Sequence, residues 1–209
     1  KEIQSFLSSN NIPQEHIQID DSRPTGTAMP YLDEKKIPVW RITENTTYDF
    51  IERTSDNEKL VKNSNCLYYG TLAQRSEISR RTIQSFFDDK LTFFCDLNIR
   101  QKFYSFEIIK KSVETADILK LNEDELILVN DLLLKENYDL LKTALMLKKA
   151  FNIKLLCITM GDEGAYLLKD EEINYYKAEA KEITDTVGAG DAYSALLCLG
   201  YMMNWPLIK

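Results

Sequence analysis

The 209 residues, 44% hydrophobic and 28% charged, suffice for one buried core and exclude both a peptide and an assembly of several domains. Lys plus Arg number 26 against 33 Asp plus Glu, a formal net charge of −7, which argues against nucleic acid or an anionic membrane as partner of the whole surface. A phosphate handled by such a chain must be held by a local device, at a loop or a helix end.

The chain opens at Lys1 within a helix-type pattern, where Ile3, Phe6 and Leu7 share a face, and it stops at Pro206-Leu207-Ile208-Lys209 shortly after another helix. The expectation is an internal piece of a longer chain. Pro13 ends the first pattern. Ile17–Asp20, Thr25–Leu32 and Ile37–Thr43 then show short β-type runs separated by turns such as Asp33-Glu34-Lys35-Lys36, which predicts a small antiparallel meander over about residues 15–50. From Asn65 the rhythm changes. Strands are predicted at 66–69, 91–96, 118–120 and 155–160. Helices are predicted at 73–87, 103–113, from Glu123 and at 138–150. A hairpin of 165–168 with 173–176 and a helix after Gly188 complete the pattern. This alternation predicts an α/β layer with a parallel sheet, whose ligands bind where strands end and helices begin.

Cys66, Cys95, Cys157 and Cys198 contain no C-x-x-C pair, and the single histidine is His16, so neither a disulfide scaffold nor a zinc site is supported. Reduced thiols suit the cytoplasm. The longest apolar stretches, such as Ala195 to Leu199, fall far short of the roughly 18 residues that span a bilayer. His16 and the pairs Lys110-Lys111 and Lys148-Lys149 are expected on the surface.

The most specific string is Asp185-Thr186-Val187-Gly188-Ala189-Gly190-Asp191, directly before the helical stretch Ala192–Leu199. Two glycines flanking an alanine let the backbone turn sharply, so that unpaired N–H groups and the positive end of the helix dipole make an anion site without any lysine. Asp191 in the first turn stays ionised and close enough to take a proton from an attacking hydroxyl. A donor cradle beside a base is what phosphoryl transfer to an alcohol requires. The same string also serves as a plain tight turn with an acidic first helical turn.

These residues are similar to the D-T-x-G-A-G-D-x-F signature of the ribokinase family, the pfkB-type carbohydrate kinases, with Tyr193 in place of the usual aromatic. The resemblance covers essentially the whole chain. It includes, in order, Thr25-Gly26-Thr27, Asp96-x-Asn98-x-Arg100, Asn122-x-x-Glu125 and Thr159-x-Gly161-x-x-Gly164. The stretch from Tyr69 to Arg75 resembles the fructokinase-type members. The implied fold is a ribokinase-like three-layer sandwich, with a mostly parallel central sheet and a β lid at about 15–50. Residues 1–209 would form one incomplete kinase domain. The resemblance also implies an earlier βα unit with a Gly-Gly stretch at the sugar and a later segment of the adenine pocket, both expected to lie outside these 209 residues.

What the resemblance implies runs residue by residue. Asp191 matches the catalytic base and Gly188, Ala189 and Gly190 the anion hole. Asn122 and Glu125 match the motif that organises Mg²⁺ and phosphate, although Asn followed three residues later by Glu is equally a helix capping box. Thr159, Gly161 and Gly164 match the nucleotide-side turn, where a bare β-turn would use the same glycines. Asn98 and Arg100 lie on a strand-end motif, with Arg100 meeting nucleotide phosphate or sugar, or else a loop carboxylate. Asp185 and Thr186 match the neighbourhood of a monovalent cation such as K⁺. The implied activity is ATP-dependent phosphorylation of a small sugar, with a homodimer formed through the lid. The alternatives are a non-catalytic sugar- or nucleotide-binding relative, and a nucleoside or vitamin-precursor kinase of the same fold.

Overall fold

A computed structural model describes residues 2–32, 38–87, 90–179 and 188–207. The chain divides into two compact units. One comprises residues 1–65 with 73–89, the other residues 66–72 with 90–209.

The first unit opens with α1 (Glu2–Ser9), none of whose residues is buried. Its expected apolar face is present, but Ile3 and Phe6 are 55% and 65% exposed. Strands β1 (Ala28–Leu32) and β2 (Pro38–Ile42) pair antiparallel, with Ala28 opposite Ile42 and Leu32 opposite Pro38. The predicted third run, Ile17–Asp20, is not a strand. Here the Gln18 side chain takes the place of a ladder: its amide donates to the Glu52 carbonyl at 2.7 Å, and its carbonyl accepts the Glu52 N–H at 3.0 Å. Helix α2 (Ser55–Lys62) was not foreseen. It is too polar to show periodicity, yet Thr54 and Asn57 form a complete capping box at its start.

The predicted helix over 73–87 is a 3₁₀ turn followed by α3 (Glu77–Gln84), which begins afresh after Ser76. The break lies beside Arg75, which is drawn into a buried ion pair. Its Nε and Nη2 donate to the two carboxylate oxygens of Asp49, each at 2.7 Å, and Nη2 also donates to the Thr43 carbonyl at 2.6 Å.

The second unit holds a six-stranded sheet in the order β3-β4-β5-β6-β7-β8. Strands β3 (Cys66–Tyr69), β4 (Thr92–Asp96), β5 (Ile118–Asn122) and β6 (Leu155–Thr159) run parallel. Strands β7 (Gly164–Lys169) and β8 (Glu172–Lys177) follow as an antiparallel hairpin. The three inner parallel strands are buried almost end to end, which is why they read as continuous apolar runs rather than alternating ones.

Helices α4 (Phe106–Thr115), α5 (Glu123–Val129) and α6 (Leu140–Ala150) make the crossovers, and α7 (Ala189–Met202) follows the hairpin. The pleat sends Phe94, Ile118 and Leu155 to one face, where Leu197, Cys198 and Tyr201 of α7 pack against them. The opposite pleat carries Tyr69, whose hydroxyl donates to the Ser112 carbonyl of α4 at 2.8 Å. Helices therefore cover both faces of the sheet, the ribokinase-like three-layer arrangement. Cys95 and Cys157 are buried free thiols, and His16 is exposed.

Candidate active site

The parallel strands end along one edge, and the chain there supplies most of the residues singled out by sequence. Asn122 and Thr159 are direct partners at the ends of β5 and β6. Asp96 closes β4, opposite Lys120.

Gly188 stands at the N-cap of α7 with φ 79°, in the left-handed region that favours glycine, and accepts the Ala192 N–H at 2.9 Å. Gly188, Ala189, Gly190 and Asp191 are all exposed. The first-turn amides have no partner within the helix, so the loop and the carboxylate beside it are open to solvent. Asp185 and Thr186 lie outside the described residues.

The start of α7 is tied to the sheet by a buried polar cluster. Asp96 Oδ2 accepts Lys120 Nζ at 2.8 Å, Ser194 Oγ at 2.7 Å and Tyr68 OH at 3.1 Å. Ser194 Oγ also lies 2.9 Å from the Gly190 carbonyl. Apart from Gly190's chain neighbours and its own helix backbone, Lys120 Nζ is the heavy atom nearest to a Cβ built on Gly190, at 3.8 Å. Burial pushes the Tyr68 phenol well above its ordinary range, and the carboxylates of Asp96 and Asp191 raise it further. Burial lifts the Cys157 thiol to about 12 and pushes the phenol of Tyr193, the residue that replaces the usual aromatic, above its ordinary range.

Glu125 joins two loops of the same edge. One carboxylate oxygen accepts the Ile99 N–H at 2.6 Å and the other the Asn122 N–H at 2.9 Å, while the Asn122 side chain accepts the Glu125 N–H at 2.8 Å. The capping box anticipated as an alternative is thus fully formed. Burial raises the Glu125 carboxyl above its ordinary value, against the lowering effect of the two amides. Asn122 itself remains exposed.

Asn98 adopts a left-handed backbone with φ 43°, and Arg100 is exposed without an ion-pair partner among the described residues. Thr159 is half-buried and Gly161 exposed. Gly164 has a conformational reason of its own. At φ 126° an added Cβ would fall 1.9 Å from the Tyr176 carbonyl oxygen across the hairpin.

Lys120, Ser194 and Tyr68 were missed by sequence reasoning. The signal for Lys120 was available, since a charged residue inside the apolar run Ile118-Leu119-Lys120-Leu121 must find a partner if that run is buried. Among the described residues no cluster of three or more His, Cys, Asp or Glu is arranged to hold a metal ion, and no helix is long and apolar enough to cross a membrane.

The whole of residues 1–209 matches the family described as pfkB family carbohydrate kinase. A sugar kinase of Pyrococcus horikoshii is 24% identical over 206 residues, covering 94% of this chain and 61% of the relative. Its solved structure superposes with a TM-score of 0.77 at 23% identity, over 98% of this chain and 65% of that one. A Vibrio cholerae fructokinase double mutant, solved with fructose, ADP and potassium ion, gives 0.73 at 19% identity over 94% and 64% of the two chains. A Burkholderia thailandensis nucleoside kinase, solved with inosine, gives 0.74 at 14% identity over 99% and 64%. The chain spans about three-fifths of the curated relative's length.

Proposed function

The chain belongs to the pfkB carbohydrate kinase family, and we propose that it carries the phosphoryl-transfer half of an ATP-dependent kinase acting on a hydroxyl of a small sugar. The observation that carries this reading is the open Gly188–Asp191 turn at the start of α7, anchored to the carboxyl edge of a parallel sheet through Ser194 and Asp96.

In this reading the Asp191 carboxylate accepts the proton of the sugar hydroxyl. The hydroxyl oxygen forms a bond to the γ-phosphorus as the bond to the β-γ bridging oxygen breaks, and ADP leaves. The amides of Gly188–Asp191 receive the charge on the moving phosphoryl group, a contribution of roughly 10²–10³ in rate per donor. Thr159, Gly161, Asn98 and Arg100 border the same edge and are assigned to nucleotide phosphate, with Arg100 also able to reach a sugar substituent. Gly164 is assigned to shaping that turn.

The residues at Asn122 and Glu125 fit a hydrated Mg²⁺. Both Glu125 oxygens already accept backbone amides, so Glu125 would meet the ion through its water, as this strongly hydrated cation prefers. Bound there, Mg²⁺ would neutralise charge on the transferring phosphates. Asp185 and Thr186 are assigned to a monovalent cation, a reading supported by the potassium of the Vibrio cholerae fructokinase.

Strands β1 and β2 are assigned to the lid, and exposed Met29 and Tyr31 suit a surface that covers a sugar or pairs with a second copy. The free cysteines suit a reducing cytoplasm. The test is ADP release with fructose, ribose, 2-keto-3-deoxygluconate, inosine and adenosine, with and without Mg²⁺. Release with a sugar supports the reading, release with nucleosides alone moves it to the nucleoside class, and ligand-induced stabilisation without release assigns a binding role.

A further inference from the structure

We propose that Lys120 is a positioning residue for phosphoryl transfer, a buried cation held by Asp96 behind the amides of Gly188–Asp191. This rests on the kinase reading above.

Stability does not account for the pair. Lys120 and Asp96 have side chains 9% and 5% exposed, on strands otherwise filled by Phe94, Ile118, Leu119 and Leu121. Well-packed apolar residues of similar volume generally serve such a position at least as well as an ion pair.

Placement and hydrogen-bond count give the pair another role. Apart from Gly190's chain neighbours and its own helix backbone, Lys120 Nζ is the nearest heavy atom to where a Gly190 Cβ would lie, at 3.8 Å, so the pair presents its positive end to the inner wall of the anion loop. The negative end is shared among three donors, Lys120, Ser194 and Tyr68. An ammonium has three N–H groups, and among the described residues Asp96 is the one hydrogen-bond partner of the Lys120 side chain. Ser194 Oγ lies within reach of both Asp96 and the Gly190 carbonyl, which links the orientation of the pair to that of the loop. In a chain of net charge −7, this fixed cation favours the arrival of negative charge at the loop where the helix start alone would have to overcome the surrounding carboxylates.

The test uses the full chain with the sugar that gives ADP release. The Lys120→Met/Asp96→Asn double variant removes the cation without leaving a buried carboxylate unpaired, and keeps an oxygen for Ser194 and Tyr68. It is expected to fold, to bind ADP within threefold of wild type, and to lose about 10²-fold in kcat. The extra affinity for ADP gained with aluminium fluoride should fall by a similar factor, a readout that a purely structural role would leave unchanged. Lys120→Arg should recover at least tenfold over the double variant. Should the double variant not fold, Lys120→Gln, which retains a donor to Asp96 without the charge, is expected to show the same loss in kcat.

Turnover and aluminium-fluoride affinity within threefold of wild type, in whichever of these neutral variants folds, would overturn the proposal and leave Lys120 as a structural partner of Asp96. A wild-type chain that releases no ADP with any sugar or nucleoside would overturn the kinase reading, and this inference with it.

Discussion

Ser194 Oγ lies 2.7 Å from Asp96 Oδ2, although the two residues stand 98 positions apart in the chain. One is in the second turn of α7 and the other is the last residue of β4. This contact sets the beginning of α7 against the carboxyl edge of the sheet, so the Gly188–Asp191 turn and the strand-end residues share one edge.

Ser194→Ala should therefore cost about 1–3 kcal/mol, because Asp96 loses one of its hydrogen-bond donors in a buried setting. Urea unfolding of the variant against wild type measures it. A change below a few tenths of a kcal/mol would mean that the contact does not anchor the helix.

Glu125→Gln should destabilise by a similar amount, about 1–3 kcal/mol, because both oxygens of Glu125 accept backbone N–H groups and the amide nitrogen of glutamine would confront one of them donor to donor. The pH dependence has a definite sign. Burial raises the Glu125 carboxyl above its ordinary value, so between the unfolded and folded values the native state holds more proton than the unfolded chain. This contribution to stability is complete below the unfolded value and is lost as pH rises through the folded one. The variant should lack that decline, which unfolding measured across the acid range will show.

The two glycines of the nucleotide-side turn should separate on mutation. Gly161 has φ 58° with nothing within 4 Å of an added Cβ, whereas a Cβ on Gly164 would strike the Tyr176 carbonyl. Gly161→Ala should cost about 1–2 kcal/mol from its left-handed backbone alone, and Gly164→Ala should exceed it, with loss of the β7–β8 pairing. Denaturant midpoints and amide exchange in the hairpin distinguish the two.

In the first unit, Arg75→Met leaves the buried Asp49 carboxylate without its fork and should cost about 3–5 kcal/mol. Burial pushes the Asp49 carboxyl up, but the Arg75 and Thr46 hydrogen bonds outweigh it and hold the group below its ordinary value of 3.8. That stabilisation is present above the unfolded value and is lost as pH falls through the lower, folded one. Arg75→Met should weaken this acid-side loss, and Asp49→Asn added to it should recover part of the stability at neutral pH.

Local signals carried much of the architecture. The alternation from Asn65 onward was legible because β4, β5 and β6 are buried end to end, while the helices between them have apolar stripes at helical spacing. The turn at Gly188–Asp191 was legible because glycines, an acidic first turn and an apolar helix follow one another directly. Helix α2 was not, since its capping box stands before a nearly apolar-free segment. Ile17–Asp20 looked like a strand because periodicity cannot show that the Gln18 side chain satisfies Glu52 in place of a backbone ladder. The Asp96, Lys120 and Ser194 cluster was out of reach for spacing arguments, because its members come from three elements and meet only when β4, β5 and α7 are assembled.

Whether Asp191 takes the substrate proton is decided by sugar-dependent ADP release from Asp191→Asn beside wild type, with folding followed by circular dichroism. Asp191 is exposed in the first turn of α7, so the substitution should leave the fold intact. Loss of a general base predicts turnover reduced by roughly 10²–10⁴ with nucleotide binding retained. Turnover within a few-fold of wild type would contradict phosphoryl transfer at this turn.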